Sequence, residues 1–135
     1  MNNLPIHPML VHFPIALFCF EFFLLFWGYF KKRKDYLDLA QVSFFGAYLF
    51  LLTALVTGYF DAGGEIADLF EGSVKPHFYA AAVLFLISTV RLILWKTLGK
   101  SGQAGFVPVK LTGSALTVAA LLVTGYWGGR IVYHG

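Results

Sequence analysis

His12-Phe13-Pro14-Ile15-Ala16-Leu17-Phe18-Cys19-Phe20-Glu21-Phe22-Phe23-Leu24-Leu25-Phe26-Trp27-Gly28-Tyr29-Phe30, closed by Lys31-Lys32-Arg33-Lys34, decides the fold. Between Phe13 and Phe30 only Glu21 carries a charge. At about 1.5 Å per residue, a helix of roughly 20 apolar residues crosses a hydrocarbon layer of about 30 Å. The four basic residues then hold its end in water at a membrane face. The run lacks the strict alternation of a β-barrel strand, so it reads as a helix.

Similar apolar runs cover roughly 8–30, 40–60, 77–95 and 107–129. The chain is 59% hydrophobic and 13% charged, with a mean hydropathy of +0.73. That balance excludes an ordinary soluble domain. The expected fold class is an all-α integral membrane protein with four transmembrane helices in a bundle. One domain is expected over 1–135.

Basic residues give the orientation. Lys31–Lys34 occupy the first loop, and Lys96, Lys100 and Lys110 flank the third. The other side holds Lys75 and Arg130 among Asp61, Glu65, Asp68 and Glu71. The positive-inside rule puts both termini outside the cytoplasm, in the periplasm of a bacterial inner membrane. The isoelectric point near 9.1 follows from this topology, with no nucleic-acid partner implied. Met1-Asn2-Asn3 has no basic leader, so the first run reads as a span rather than a cleaved signal. The single Cys19 lies inside that span, so neither a disulfide framework nor a cysteine metal cluster is expected. The segment Glu65 to Glu71 reads as one short acidic helix on the outer surface.

Two segments recur. His12-Phe13 returns as His77-Phe78, and Leu55-Val56-Thr57-Gly58-Tyr59 returns as Leu122-Val123-Thr124-Gly125-Tyr126. Gly63-Gly64-Glu65-Ile66 returns in outline as Gly128-Gly129-Arg130-Ile131. The bundle is therefore read as two tandem two-helix repeats, about 7–66 and about 72–135. Two-helix units enter a membrane in the same direction, which relates them by a pseudo-twofold axis along its normal. His12 and His77 are then expected to face each other across that axis.

Two opposed imidazoles from different helices are what a bis-histidine haem requires. His12 and His77 are the expected axial or metal ligands, and His7 and His134 extend the cluster. Gly58 and Gly125 would give a flat ring room, which is also the ordinary small-residue packing of membrane helices. Phe13, Phe78, Tyr59, Tyr126 and Trp127 could line the pocket. Arg130, Lys75 and Tyr133 lie at the right face to meet propionates. Pro14 inside a helix begun at Pro8 would free the carbonyl of Leu10 and kink the chain beside His12. Glu21 and Arg91, the two ionisable residues deep in the spans, are expected to form an internal ion pair.

The opening His7-Pro8-Met9-Leu10-Val11-His12-Phe13-Pro14-Ile15-Ala16-Leu17 and the ending Gly128-Gly129-Arg130-Ile131-Val132-Tyr133-His134-Gly135 carry a resemblance. Together they are similar to a family of small bacterial four-helix membrane proteins, domain of unknown function 2231. The resemblance spans the whole chain, through the opening, the histidine starting the third helix and the ending. It carries over onto His7, His12, His77 and His134. Here Tyr133 and His134 are adjacent, where relatives usually place a residue between them. Some related chains join this module to iron–sulfur or cytochrome modules, which implies a redox setting.

The expected function is thus one-electron transfer near the outer face by b-type haem, with one haem or a second on His7 and His134. No Cys-x-x-Cys-His segment is present, so the haem would be held without thioether links. Phosphate loops, nucleophile elbows and His-Glu-x-x-His helices are lacking, which favours an electron-transfer protein over a catalyst. The expected partners are the lipid bilayer, a cytochrome, iron–sulfur protein or quinol, and a second copy in a homodimer. Two alternatives stand beside this reading. One is a zinc, copper or iron binding or transport protein using the histidine cluster. The other is a structural subunit whose histidines are only interfacial.

Overall fold

A computed structural model describes residues 6–98 and 106–134 of the chain, except for the side chains of Leu98 and His134. A short helix α1 (Ile6–Leu10) runs into α2 (His12–Lys31), and together they make the first span. The others are α3 (Lys34–Asp61), α4 (Val74–Leu98) and α5 (Val107–His134). All four spans are long and apolar enough to cross a membrane, the first being 26 residues and the second 28.

Local chemistry sets the joints. Pro14 has no N–H to offer the Leu10 carbonyl, and the helix is interrupted at Val11, between α1 and α2. Val11 itself keeps helical dihedrals (φ −64°, ψ −21°), and its N–H still donates to the His7 carbonyl at 3.1 Å. At the far end Lys32 adopts a left-handed conformation (φ 52°, ψ 40°) and caps α2 through the carbonyls of Gly28 and Tyr29. Arg33 alone then separates that cap from α3. Gly28 permits the tight hairpin: a Cβ there would stand 2.9 Å from Leu37 Cδ2. The expected acidic helix is a single 3₁₀ turn at Ala67–Phe70, entered through Gly63 and Gly64, both at positive φ. The Tyr59 hydroxyl donates to the Gly64 carbonyl and ties this turn to the end of α3.

Around the bundle, α2 lies between α3 and α5, and α4 packs along α5. The core holds Phe18, Phe44, Ala47, Leu51, Leu84 and Leu121. Below it Leu24, Leu25, Ala40 and Trp95 form a second cluster. Outward-facing residues are as apolar as inward ones: Phe23 is 66% exposed, and Leu86 and Leu122 are similarly bare. In water that surface would aggregate; against lipid tails it is the solvated face. The buried polar residues Ser43, Ser88, Ser114 and Thr117 invert the soluble pattern. Small and hydroxyl-bearing residues let membrane helices approach closely, because there is no hydrophobic gain from helix contact in lipid.

The first and third spans correspond in environment over part of their length, at an offset different from the one in the sequence motifs. Residues 7–23 and 77–93 show the same succession of buried, half-buried and exposed positions. That offset is 70, whereas the recurring segments suggest 65 to 67. His7, rather than His12, therefore stands in the place that His77 holds in the second half.

Candidate functional site

His7 and His77 meet between the first and third spans, their ring centres 6.3 Å apart and their planes at 77°. The expectation that His12 faces His77 is corrected. His12 is exposed, and its Nδ1 folds back to the carbonyl of Pro8 at 2.7 Å. Five residues of helix turn a side chain by about 140°, and the break at Val11 does not cancel that turn.

Hydrogen bonds assign the protons of the facing pair. His77 Nδ1 lies 3.0 Å from the backbone carbonyl of Thr124, which can only accept, so Nδ1 carries the hydrogen. His7 Nδ1 lies 3.2 Å from Thr57 Oγ1. That hydroxyl already donates to the carbonyls of Thr53 and Ala54, at 3.0 and 3.1 Å, so it accepts from His7. Each ring is thus held at Nδ1, and neither Nε2 has a hydrogen-bond partner among the described residues. Among the described residues, the bonded nitrogen is Nδ1 in each case. An Nδ1–H held by an oxygen is the usual outer-shell support of a metal-binding histidine, because it fixes the ring and raises its basicity.

Glycines make the pocket walls. A Cβ on Gly58 of α3 would stand 3.0 Å from His7 Cε1, and one on Gly128 of α5 would stand 3.1 Å from His77 Cε1. Each ring lies directly on helix backbone. Gly125 and Gly129, which flank Gly128, have open space where a Cβ would project. The expected equivalence of Gly58 with Gly125 is therefore replaced, in packing terms, by Gly58 with Gly128.

The remaining expected residues are scattered. Arg130 is exposed, with its guanidinium 5.4 Å from the Trp127 ring centre. Phe13 stacks on Phe50 at 4.9 Å, and Phe78 packs on Phe70 at 5.1 Å, away from the imidazoles. Tyr126 is 61% exposed and does not line the pair. The side chain of His134 lies outside the described residues. Among those described, no group of three or more His, Cys, Asp or Glu side chains is placed to hold a metal ion.

Deeper in the bundle a second constellation joins the same two spans. Glu21 and Arg91 pair at 2.5 Å, both buried. Ser114 donates to the other Glu21 oxygen at 2.6 Å, and Arg91 donates to Thr117 Oγ1 at 2.8 Å. The Arg91 guanidinium also lies over the Phe44 ring, 4.6 Å from its centre. Glu21 is 14 residues beyond His7, and Arg91 is 14 beyond His77 (7 to 21, 77 to 91). Equal spacing puts them at one level, about 21 Å from the histidines along the helices. Gly113 makes the space: a Cβ there would be 3.3 Å from Arg91 Cγ, Cδ and Nε.

Four apolar spans, with two imidazoles brought together between the first and the third, define a multi-pass membrane protein. The chain belongs to the family of predicted membrane proteins known as domain of unknown function 2231, whose model matches residues 3–135. No curated protein and no solved structure matches the chain.

Proposed function

We propose that the chain holds one b-type haem between its first and third spans, with His7 and His77 as axial ligands, and that it transfers single electrons near that membrane face. The observation that carries this is the pair of imidazole rings 6.3 Å apart, each held at Nδ1 and unbonded at Nε2 among the described residues. Two imidazoles on opposite sides of one metal, each bonded at about 2.0–2.1 Å, hold their ring centres roughly 6 Å apart. A bare zinc or copper ion would ask for three or four such ligands. Haem brings four nitrogens of its own and asks for two, and two is what the described residues bring together.

When bound, haem would supply a one-electron centre, and the chain would tune it. Thr57 and the Thr124 carbonyl would orient the ligands through their Nδ1–H groups. Gly125 and Gly129 are open where a Cβ would project, which would let the α5 backbone approach a flat ring closely. Arg130 and Lys75, exposed at the same end, are suited to neutralise propionates. The basic residues gathered at the other end support an inner-membrane protein whose histidine end faces the periplasm. There a soluble cytochrome, an iron–sulfur protein or a membrane quinol would exchange the electron.

The test is an absorption spectrum of the full chain, expressed with ample haem and purified in detergent, oxidised and then dithionite-reduced. A Soret band with sharp α and β bands on reduction is expected. A colourless protein would overturn the reading.

A further inference from the structure

A narrow cleft of about 30 Å³ opens between α4 and α5 at the basic end of the bundle, lined by Arg91, Leu94, Trp95, Phe106, Val109 and Lys110. Two of its walls carry unanswered donors. Among the described residues, Arg91 Nε and Trp95 Nε1 are buried with no hydrogen-bond partner, and both residues are only 4% exposed. An N–H group at membrane depth without an acceptor costs several kcal/mol, so an acceptor oxygen is called for there.

Lys110 stands at the mouth. Its Nζ lies over the Trp95 ring, 4.2 Å from the centre. Among the described residues the ion pairs are Arg33–Asp35 and Glu21–Arg91, so this ammonium has no carboxylate at ion-pair distance, and Asp38 acts on it only from farther off. The rim residues Leu94 and Val109 are exposed, so the cleft opens sideways to lipid rather than along the bundle axis. A cation at the membrane surface, an indole N–H beside it and apolar walls follow the order of parts in a phospholipid: phosphate, ester, acyl chain. Basic pockets between membrane helices take anionic headgroups for this reason.

We propose that this cleft binds one anionic phospholipid of the leaflet at the basic end, with its phosphate on Lys110 and an ester oxygen on the Trp95 indole N–H. Arg91 Nε–H is the deeper donor of the same cleft, and its other nitrogens stay on Glu21 and Thr117. The site is separate from the histidine pair, and it stands or falls without haem.

Native mass spectrometry of the detergent-purified full chain tests this by titration with dioleoyl phosphatidylglycerol and, in parallel, dioleoyl phosphatidylcholine. One phosphatidylglycerol per chain is expected to bind in preference. Lys110→Gln should weaken it about five-fold, the effect of one surface cation. Trp95→Phe, which keeps the ring and removes the N–H, should also weaken it. Lys96→Gln, an exposed cation at the same end, should leave it unchanged. Equal binding of the two lipids would overturn the proposal, leaving the donors to water. Equal loss in Lys96→Gln and Lys110→Gln would overturn it in favour of diffuse attraction. Displacement of the lipid by millimolar glycerol 3-phosphate would show a free-phosphate site instead. Melting curves of each variant report folding, and if Trp95→Phe fails to fold the two lysine variants decide alone.

Discussion

The histidine pair and the Glu21–Arg91 pair both join the first span to the third, yet they are built in opposite ways. In the deeper pair both carboxylate oxygens are answered, one by Arg91 and the other by Ser114. No carboxylate oxygen is left open, and the group serves as an internal clasp whose one unanswered donor, Arg91 Nε, faces the α4–α5 cleft. In the upper pair each ring is held by one nitrogen and offers the other. A paired charge inside a membrane bundle fixes which helices meet, whereas a polar group with an open nitrogen is where a ligand could be held.

Breaking the clasp should give the largest effect. Arg91→Leu strands a buried carboxylate, which costs about 3–5 kcal/mol where one partner of a buried pair is removed. Unfolding in detergent, followed by circular dichroism, should show that loss. The double variant Glu21→Leu with Arg91→Leu should recover most of it while keeping any haem spectrum. A double variant no better than the single would show that the pair is not a closed unit.

A smaller effect should separate the two threonines of the recurring Leu-Val-Thr-Gly-Tyr segment. Thr57 holds His7 through its side chain, whereas Thr124 holds His77 through its backbone carbonyl. Thr57→Val should weaken haem affinity about 10–100-fold, as loss of an outer-shell partner does. Thr124→Val should leave affinity unchanged, since its hydroxyl bonds only the Ala120 carbonyl. Haem titration of the apoprotein checks both, and equal losses would contradict the assigned roles.

The smallest effect is expected at Ser88. Among the described residues its buried Oγ has no partner, so Ser88→Ala removes an unanswered polar atom. Stability in detergent should hold or rise slightly. A marked loss would place Ser88 in the clasp after all.

The four spans were legible because 20-residue apolar runs between charged loops admit few other folds. The Glu21–Arg91 pair was legible for a related reason: charges deep in hydrocarbon need partners. Counted from His7 and His77, its two members fall at one level. The histidine site was half legible. Its residue type, its end of the bundle and His77 were plain, but the recurring His-Phe dipeptide pointed to His12. A dipeptide match records letters, while helix phase decides which side a residue faces, and five residues are not a whole number of turns. One signal was available in the sequence. Counted at an offset of 70, His7 with His77 and Gly58 with Gly128 fall into register together, and Glu21 with Arg91 does so too.

The central claim is that His7 and His77, rather than His12, form the site. Reduced-minus-oxidised spectra of His7→Ala, His77→Ala and His12→Ala, purified alongside the parent chain after expression with ample haem, test it most directly. The expected result is a bis-histidine spectrum in the parent chain and in His12→Ala, and its loss in the other two. Retention in His7→Ala with loss in His12→Ala would contradict the pairing and return the site to the register of the recurring dipeptide.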